Sequence, residues 1–524
     1  MASEGYFLAY DIGTTYLKTA ILDEKFNLIG KSMKSYPLHF PQKGYAEQDP
    51  EDWWKAVVET TQDILKDTNI KVDKIKAIIF SSMMSTLLAI NKDGEPLFRA
   101  MTWLDTRAAA TARKYFGRGI IKIAGYSILT VLKFLRITGG APGFAGKDNI
   151  TRILWIKENW PDVYKEVYKF LDSKDYLIFK TTGKAIISRD LAHLWWLMDT
   201  RPNVMDWSDS LLEKYGIERD KLPEIRLSID IAGELNREAA NELGLKEGIP
   251  VVVGAGDITT VAVGSGAVKD GEFHLYIGTS DWIASHSKDR KLDINHYIGS
   301  LASAIPDRYL CIAEQETAGA CLDWVKDNMF KEEEEELGEK VYDLFDELVS
   351  KIPPGSEGLF FTPWLSGERA PIDDDTVRGG FHNLGLEHTR EHALRAVMEG
   401  VAFNIYWILG YMEKLFKPVE WINFVGGGAL RETWSQIISD VLGRVIRRVE
   451  KPREVGVRGA TIIGAVALGV YKSFEEAAEN IKIEKVFKPD MERHQFYKNL
   501  FKEFKSIYEN NKKIYQRLNK EKAH

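Results

Sequence analysis

Two short stretches constrain the fold most: "YDIGTT" at residues 10–15 and "YIGTSD" at residues 276–281. The first lies between the apolar runs "YFLAY" and "YLKTAILD"; the second lies inside "GEFHLYIGTSDWIASHS" (271–287). In each, a buried strand runs into glycine and hydroxyl residues and then turns straight back into another strand. A bend of this kind appearing early and again late implies a weak internal duplication. Two similar halves facing each other make a cleft, with one bend from each half pointing into it. The chain has 524 residues, too many for one compact core, so two domains are expected, 1–253 and 254–524.

The segments between the bends read as α/β. "DPEDWWKAVVETTQDILKD" (49–67) predicts a helix, with Asp49 as cap and Pro50 in the first turn. "IKAIIFSS" (75–82) and "IPVVVGAGD" (249–257) predict buried strands, and residues near 140–250 read as mostly helical. "REHALRAVMEGVAFNIYWILGYMEKLF" predicts a helix, followed by the strand "WINFVGGGA" and a helix from about Thr433. "KEEEEEL" (331–337) reads as a solvated helix face. The small residues of "REVGVRGATIIGAVALG" (453–469) suit close helix packing. Strands, helix and strand in alternation imply an α/β fold.

The turns suggest a chemistry. Glycine lets a backbone approach a ligand closely, and exposed N–H and hydroxyl groups can bond phosphate oxygens. Asp11 repels phosphate directly, but a carboxylate beside phosphate acts through Mg²⁺ or its waters. A plain hairpin with a polar tip is the competing reading of the same turn. The third glycine turn, "FVGGGA" (424–429), ends a strand before a helix, which suits backbone approach to a nucleotide or simply a tight loop. Asp257 ends a strand, where it could accept a proton or cap the next helix. Trp103 with Asp105 offers an apolar face beside an acceptor, or ordinary packing. Met83 and Met84 read as core side chains by default. No Walker A pattern, protein-kinase motif set or dinucleotide fingerprint is present.

Composition narrows the setting. A net charge of -7 gives no reason to expect nucleic acid or an anionic membrane. The only two cysteines, Cys311 and Cys321, form no CxxC pair, and a reducing cytoplasm is the simplest compartment. The N-terminus has no basic-then-apolar signal pattern. "GIIKIAGYSILTVLKFL" (119–135) is broken by Lys122 and Lys133 and predicts a buried or interface helix, not a membrane span.

In order along the chain, "YDIGTT", "YAEQDPEDWW", "MTWLDTRA", "GAGD", "YIGTSD", "TPWLSGERAP" and "NFVGGGALRETWSQIISDVLG" together resemble the FGGY family of carbohydrate kinases, from about residue 6 to 475. Each motif is weak alone; the ordered set is specific. The xylulokinase-like subgroup is the most similar. The resemblance implies an actin/hexokinase-like (ribonuclease H-like) duplicated two-domain fold with ATP and Mg²⁺ in the cleft. It implies Asp11 as a Mg²⁺ ligand, with Asp257 also near the metal, and Thr14 and Thr15 near the ATP phosphates. Asp257 falls at the family's catalytic base. Gly278 and Thr279 match the second phosphate turn, and Gly427, Gly428 and Ala429 the adenosine loop. Met83, Met84, Trp103, Asp105 and Ile258 fall in the substrate segments, next to Asp257.

Two positions depart from the xylulokinase pattern. Met83-Met84 stands where Met-His is general, and Ile258 where Asn follows the catalytic Asp. Losing two polar groups from a site that binds hydroxyls should alter substrate choice. The expectation is therefore a kinase acting on a primary hydroxyl of a small sugar or polyol. D-xylulose comes first, with gluconate and glycerol as alternatives in the same family. An ATPase that moves a partner and a non-catalytic sugar sensor are the rivals on this fold. The expected partner is the small substrate, with no nucleic acid or membrane, and with room for a homodimer.

Overall fold

The structure, a computed structural model, describes residues 5–119, 121–123 and 125–519. By contact it forms two compact units. The first holds residues up to Gly266, with Leu301–Leu310 and Gly456–Asn480; the second holds Ala267–Ser300, Cys311–Val455 and the chain from Ile481 on. The expected division at 253 and 254 differs from this: Asp257 sits with the first unit, and two later segments return to it.

Each unit is built on one mixed sheet. The first has the strand order Leu28–Ser35, Tyr16–Asp23, Tyr6–Ile12, Ile75–Ser82, Pro250–Gly256, Ile231–Glu234. The second has Gly299–Ala302, Tyr309–Gln315, Asp281–Ser287, Phe273–Ile277, Trp421–Gly426, Val445–Val449, Ile483–Phe487. In both, an antiparallel hairpin carries the Gly-Thr bend, and its first strand lies parallel to the next strand inward. Apart from one extra edge strand in the second unit, the two orders correspond strand for strand. The duplication read from the two bends is thus present in the backbone.

The central strands are apolar throughout because both faces are covered. Ala77, Ile78, Ile79 and Phe80 are fully buried, as are Val251, Val252 and Val253. The helix Pro50–Thr68 covers one face, burying Trp53, Trp54, Val57 and Ile64. Asp49 caps it by accepting from Glu51 N–H at 3.1 Å. Two buried hydroxyl pairs fix it to the hairpin: Tyr10 with Thr61 at 2.6 Å, and Thr19 with Thr60 at 2.7 Å. The helix Val455–Ala467 covers other first-unit surface through its glycines. A Cβ on Gly459 would stand 1.8 Å from Thr260 O, and one on Gly464 would stand 2.7 Å from Ile79. Close packing was the sequence expectation here.

Two sequence expectations need correction. Residues 119–135 are not one helix: Lys122–Ile123 pairs with Tyr126–Ser127, and only then does the helix Ile128–Ile137 begin. Gly125, at φ 84°, makes the turn that interrupts the pattern. Residues 120 and 124 lie outside the described residues. Leu129 and Leu132 on this helix are 78% and 56% exposed, so that side is not buried. Between 140 and 250 the helices are short and alternate with paired strands such as Ile186–Ser188 with Glu224–Arg226. "KEEEEEL" does form a helix with no buried residue. No described helix is long and apolar enough to cross a membrane.

Candidate active site

Three parallel strands of the first unit bring their C-terminal ends together. Ile12 is opposite Ser82, and Ser82 is opposite Gly256. Asp11, Met83, Met84 and Asp257 therefore share one edge of the sheet, the edge where open α/β sheets bind ligands. Met83 N–H bonds Ile12 O at 2.7 Å, tying the second strand end to the first turn.

Asp11 accepts from Ser81 Oγ at 3.2 Å. Burial raises its carboxyl above the ordinary aspartate range, against the opposing pull of Lys18 and the Ser81 bond. Gly456 abuts it: a Cβ there would lie 2.8 Å from Asp11 Oδ2. Thr14 is drawn toward the sugar segments. Trp103 Nε1 donates to its hydroxyl at 2.9 Å, that hydroxyl points to Met83 Sδ at 3.8 Å, and Gln48 Nε2 donates to its carbonyl at 2.6 Å. Thr15 is exposed at the tip. Trp103 also lies under Lys147, whose Nζ is 5.5 Å from its ring.

Asp105 is fully buried, and its carboxylate is already engaged. It accepts from Ala46 N–H at 2.8 Å and from Arg107 Nη2 at 2.7 Å. In this arrangement it braces the loop that carries Trp103.

Asp257 is half-buried at the start of the helix Asp257–Gly264 and accepts from Ile258 N–H at 2.8 Å. The cap reading is not met: the N-cap position is Gly256, and the helix has no side-chain cap bond. Met84 packs on Gly256 so tightly that a Cβ there would come within 2.8 Å of its sulfur. Beneath lies Asp190, fully buried, whose Oδ2 accepts from Gly256 N–H at 2.7 Å and from the Thr259 hydroxyl.

In the second unit, Gly278 N–H closes the bend onto Ser280 O at 2.9 Å, and Thr279 is exposed at its tip. Its carbonyl accepts from Ala318 and Ala320 N–H at 3.0 and 3.1 Å. The adenosine-loop candidate is coupled to this bend through Ile277. Gly426, at φ 88°, would place a Cβ 2.4 Å from Ile277 O, and Gly428 would place one 2.7 Å from the Ile277 side chain. Gly427 is half-buried, and Gly428 and Ala429 are buried in the short turn Gly427–Leu430.

Models of the FGGY family of carbohydrate kinases match both parts of the chain, the N-terminal domain over residues 6–264 and the C-terminal domain over 274–468. The chain belongs to the FGGY family of carbohydrate kinases. It is an ATP-dependent sugar kinase, with the two-domain fold of that family. It is 30% identical over 517 residues to the xylulose kinase of Bacillus subtilis, covering 97% of this chain and 98% of that one. It is 31% identical over 485 residues to the gluconokinase of the same organism, covering 91% and 90%. The ligand-bound xylulose kinase structure from Lactobacillus acidophilus superposes with a TM-score of 0.87 at 26% identity, covering 98% of this chain and all of that one.

The residues of this FGGY kinase fit a nucleotide with its metal. Asp11 is a desolvated carboxylate with a side-chain-free residue beside it, a place for a cation. Among the described residues no three His, Cys, Asp or Glu side chains converge on a metal position. One carboxylate with waters and substrate phosphates is how Mg²⁺ is ordinarily held. At the foot of the second turn, Asp281 is buried with no hydrogen-bond partner on either oxygen among the described residues. Burial, with Glu314 adding to it, holds that carboxyl well above the usual range.

Sequence reasoning gave no role to Gln48, Asp190 or Asp281. Gln48 and Asp281 stand inside quoted motifs, but only the fold shows what they touch. Asp190, in "SRDLAH", had one local signal: a carboxylate in a stretch otherwise destined for the core.

Proposed function

We propose that the chain transfers the γ-phosphoryl group of ATP to a primary hydroxyl of a small sugar or polyol, with Asp257 as general base. The observation that carries this reading is the position of Asp257. It is a half-buried carboxylate at a strand end, directly after Gly256, which packs on Met84 and donates its N–H to Asp190. Phosphoryl transfer asks for in-line positioning, charge neutralisation and an acceptor for the attacking hydroxyl's proton. Asp257 accepts that proton, and Trp103 supplies an apolar wall for the carbon chain. Thr15 and Thr279 present exposed hydroxyls at the two turns for ATP phosphate oxygens, and Gly427, Gly428 and Ala429 suit backbone approach to its adenosine. Mg²⁺ bound beside Asp11 would neutralise the phosphate charge. The reading includes a cytoplasmic setting, which accords with Cys311 and Cys321 both being free thiols in buried positions.

A second reading has a specific observation in its favour. Lys147 over Trp103 places a cation at the sugar wall, and Met84 and Ile258 replace two expected hydroxyl partners. An acid sugar such as gluconate gains from the first and loses less from the second. The test is ADP release across a panel of ketoses, polyols and aldonates. Turnover that depends on one of these sugars supports the kinase reading and ranks xylulose against gluconate. ADP release that ignores every sugar would favour the ATPase rival, and no release at all would favour the sensor.

A further inference from the structure

The first unit also carries a cavity that the kinase reading does not use. It measures about 480 Å³ and is lined by Leu132, Lys133, Arg136, Ile137, Arg201 and Ser210. The helix Ile128–Ile137 supplies four of these residues, the chain just after Met198–Asp199 supplies Arg201, and the helix Asp209–Tyr215 supplies Ser210. None of them belongs to the residues assigned to nucleotide or sugar.

The chemistry of its wall is one-sided. Three of the six lining residues are cations and none is an acid, in a chain whose net charge is -7. Asp199 holds the Arg201 guanidinium through two bonds from Nε, at 2.9 and 3.1 Å. Lys133 Nζ bonds Ser210 O at 2.8 Å, spanning the two walls. Arg136 has no hydrogen-bond or ion-pair partner among the described residues. A fourth cation stands close by: Lys214 donates to Thr130 Oγ1 at 3.3 Å. Its ammonium pKa is lowered by burial and then by the charge of Lys133. Asp199 already pairs with Arg201, so the repulsion lies among Lys133, Lys214 and Arg136, and an anion beside them relieves it. The apolar part of the wall, Leu132 with the buried Ile137, suits a short carbon skeleton.

We propose that this cavity binds a small phosphomonoester, such as a sugar phosphate, with the phosphate among Lys133, Arg136 and Arg201 and the carbon chain against Leu132 and Ile137. The volume lies within the range of small-molecule sites. Arginine forks and a lysine match the several acceptor oxygens of a phosphate dianion. A sugar kinase makes molecules of this class, so occupancy would report product accumulation. A membrane, with the exposed Leu129 and Leu132 in lipid and the cations on a lipid phosphate, is the competing occupant; a volume of small-molecule size with the buried Ile137 in its wall favours the soluble ligand.

The test uses the full chain saturated with a non-hydrolysable ATP analogue, so that the catalytic phosphate turns are filled. Inorganic phosphate and a hexose 6-phosphate are titrated by calorimetry into the parent, Arg136→Ala and Lys133→Ala/Arg136→Ala. We expect binding in the parent, with the hexose phosphate tighter than phosphate. The double variant should bind at least about tenfold more weakly, the scale of lost charge-assisted bonds. Its kcat/KM without added phosphate should be unchanged. Arg136→Ala alone should weaken binding without a change in melting temperature, because Arg136 supports no other group. Absence of binding in the parent, or equal binding in parent and double variant, would overturn the proposal. So would association with phosphatidic-acid vesicles in place of the soluble esters.

Discussion

At the scale of single residues, the proposed chemistry rests on one carboxylate and what holds it. Asp257→Asn should fold and bind ATP as the parent does and lose about 10²–10⁴-fold in turnover, the range for a general base. Near-parental turnover with the best sugar would remove Asp257 from that role. Asp190 gives a finer test, because it touches only the turn beneath. Ala at 190 removes the Oδ2 that now serves both Gly256 N–H and the Thr259 hydroxyl. We expect Asp190→Ala to lower kcat by at least about tenfold, through lost positioning hydrogen bonds, while KM for ATP stays constant. If kcat were untouched and only the melting temperature fell, Asp190 would be structural alone. On the opposite wall, Met84 and Ile258 offer a sugar hydroxyl little, since a thioether is a weak acceptor. Met84→His with Ile258→Asn should therefore raise kcat/KM for xylulose relative to the best substrate found in the panel. A parent that already prefers xylulose at micromolar KM would end that argument.

At the scale of elements, the helix Val455–Ala467 lies against first-unit residues only because its glycines lack side chains. A methyl at Gly459 would overlap the Thr260 carbonyl, which belongs to the helix begun by Asp257. Gly459→Ala should destabilise by about 3 kcal/mol or more, the upper range for overpacking, because backbone must move. Gly410, inside the helix Arg390–Leu415, meets nothing within 4 Å. Gly410→Ala should stabilise by about 0.5–1 kcal/mol through the entropy of the unfolded chain. Paired urea titrations read both signs; a mild effect at 459 would mean that the helix can slide. This contrast also indicates what the sequence could convey. The run of small residues at 453–469 announced close packing, since only a tight interface needs so many. Its partner was not legible, because nothing local in the helix names a strand hundreds of residues earlier. The hairpin strands and the capped helix Pro50–Thr68 were legible because their signals are local. The stretch 119–135 misled because its apolar spacing resembles a helix, and the glycine turn at 125 overrides that spacing.

At the scale of the whole molecule, the two bends foretold a duplicated chain, and the matching strand orders bear this out. The ordered motif set made the family legible, because seven weak motifs in one order are specific where each alone is not. The gathering of Asp11, Met84 and Asp257 at one sheet edge needed the parallel register, which no short stretch encodes. The division between units was harder still, because the chain returns to the first unit twice. Leu301–Leu310 adds Ala302 N–H to His193 Nδ1 at 2.8 Å and the Tyr309 hydroxyl to Thr200 O at 2.7 Å. Gly456–Asn480 covers Ile79 and Phe7 and ties Tyr471 to Glu24 O at 2.8 Å. A fragment ending at residue 266 therefore lacks both segments and exposes the apolar surface that the returning helix buries. At about 25 cal/mol per Å² of apolar surface, losing one helix interface outweighs the margin of a typical domain. We expect residues 1–266 alone to bind a hydrophobic dye, to show little amide dispersion, and to melt without a cooperative transition. Adding the 451–482 peptide in trans should restore part of the dispersion, because Gly459 and Gly464 fit only their own partners. A cooperative melt from the bare fragment would mean that the first unit folds on its N-terminal segment alone, with the returning helix an accessory to it.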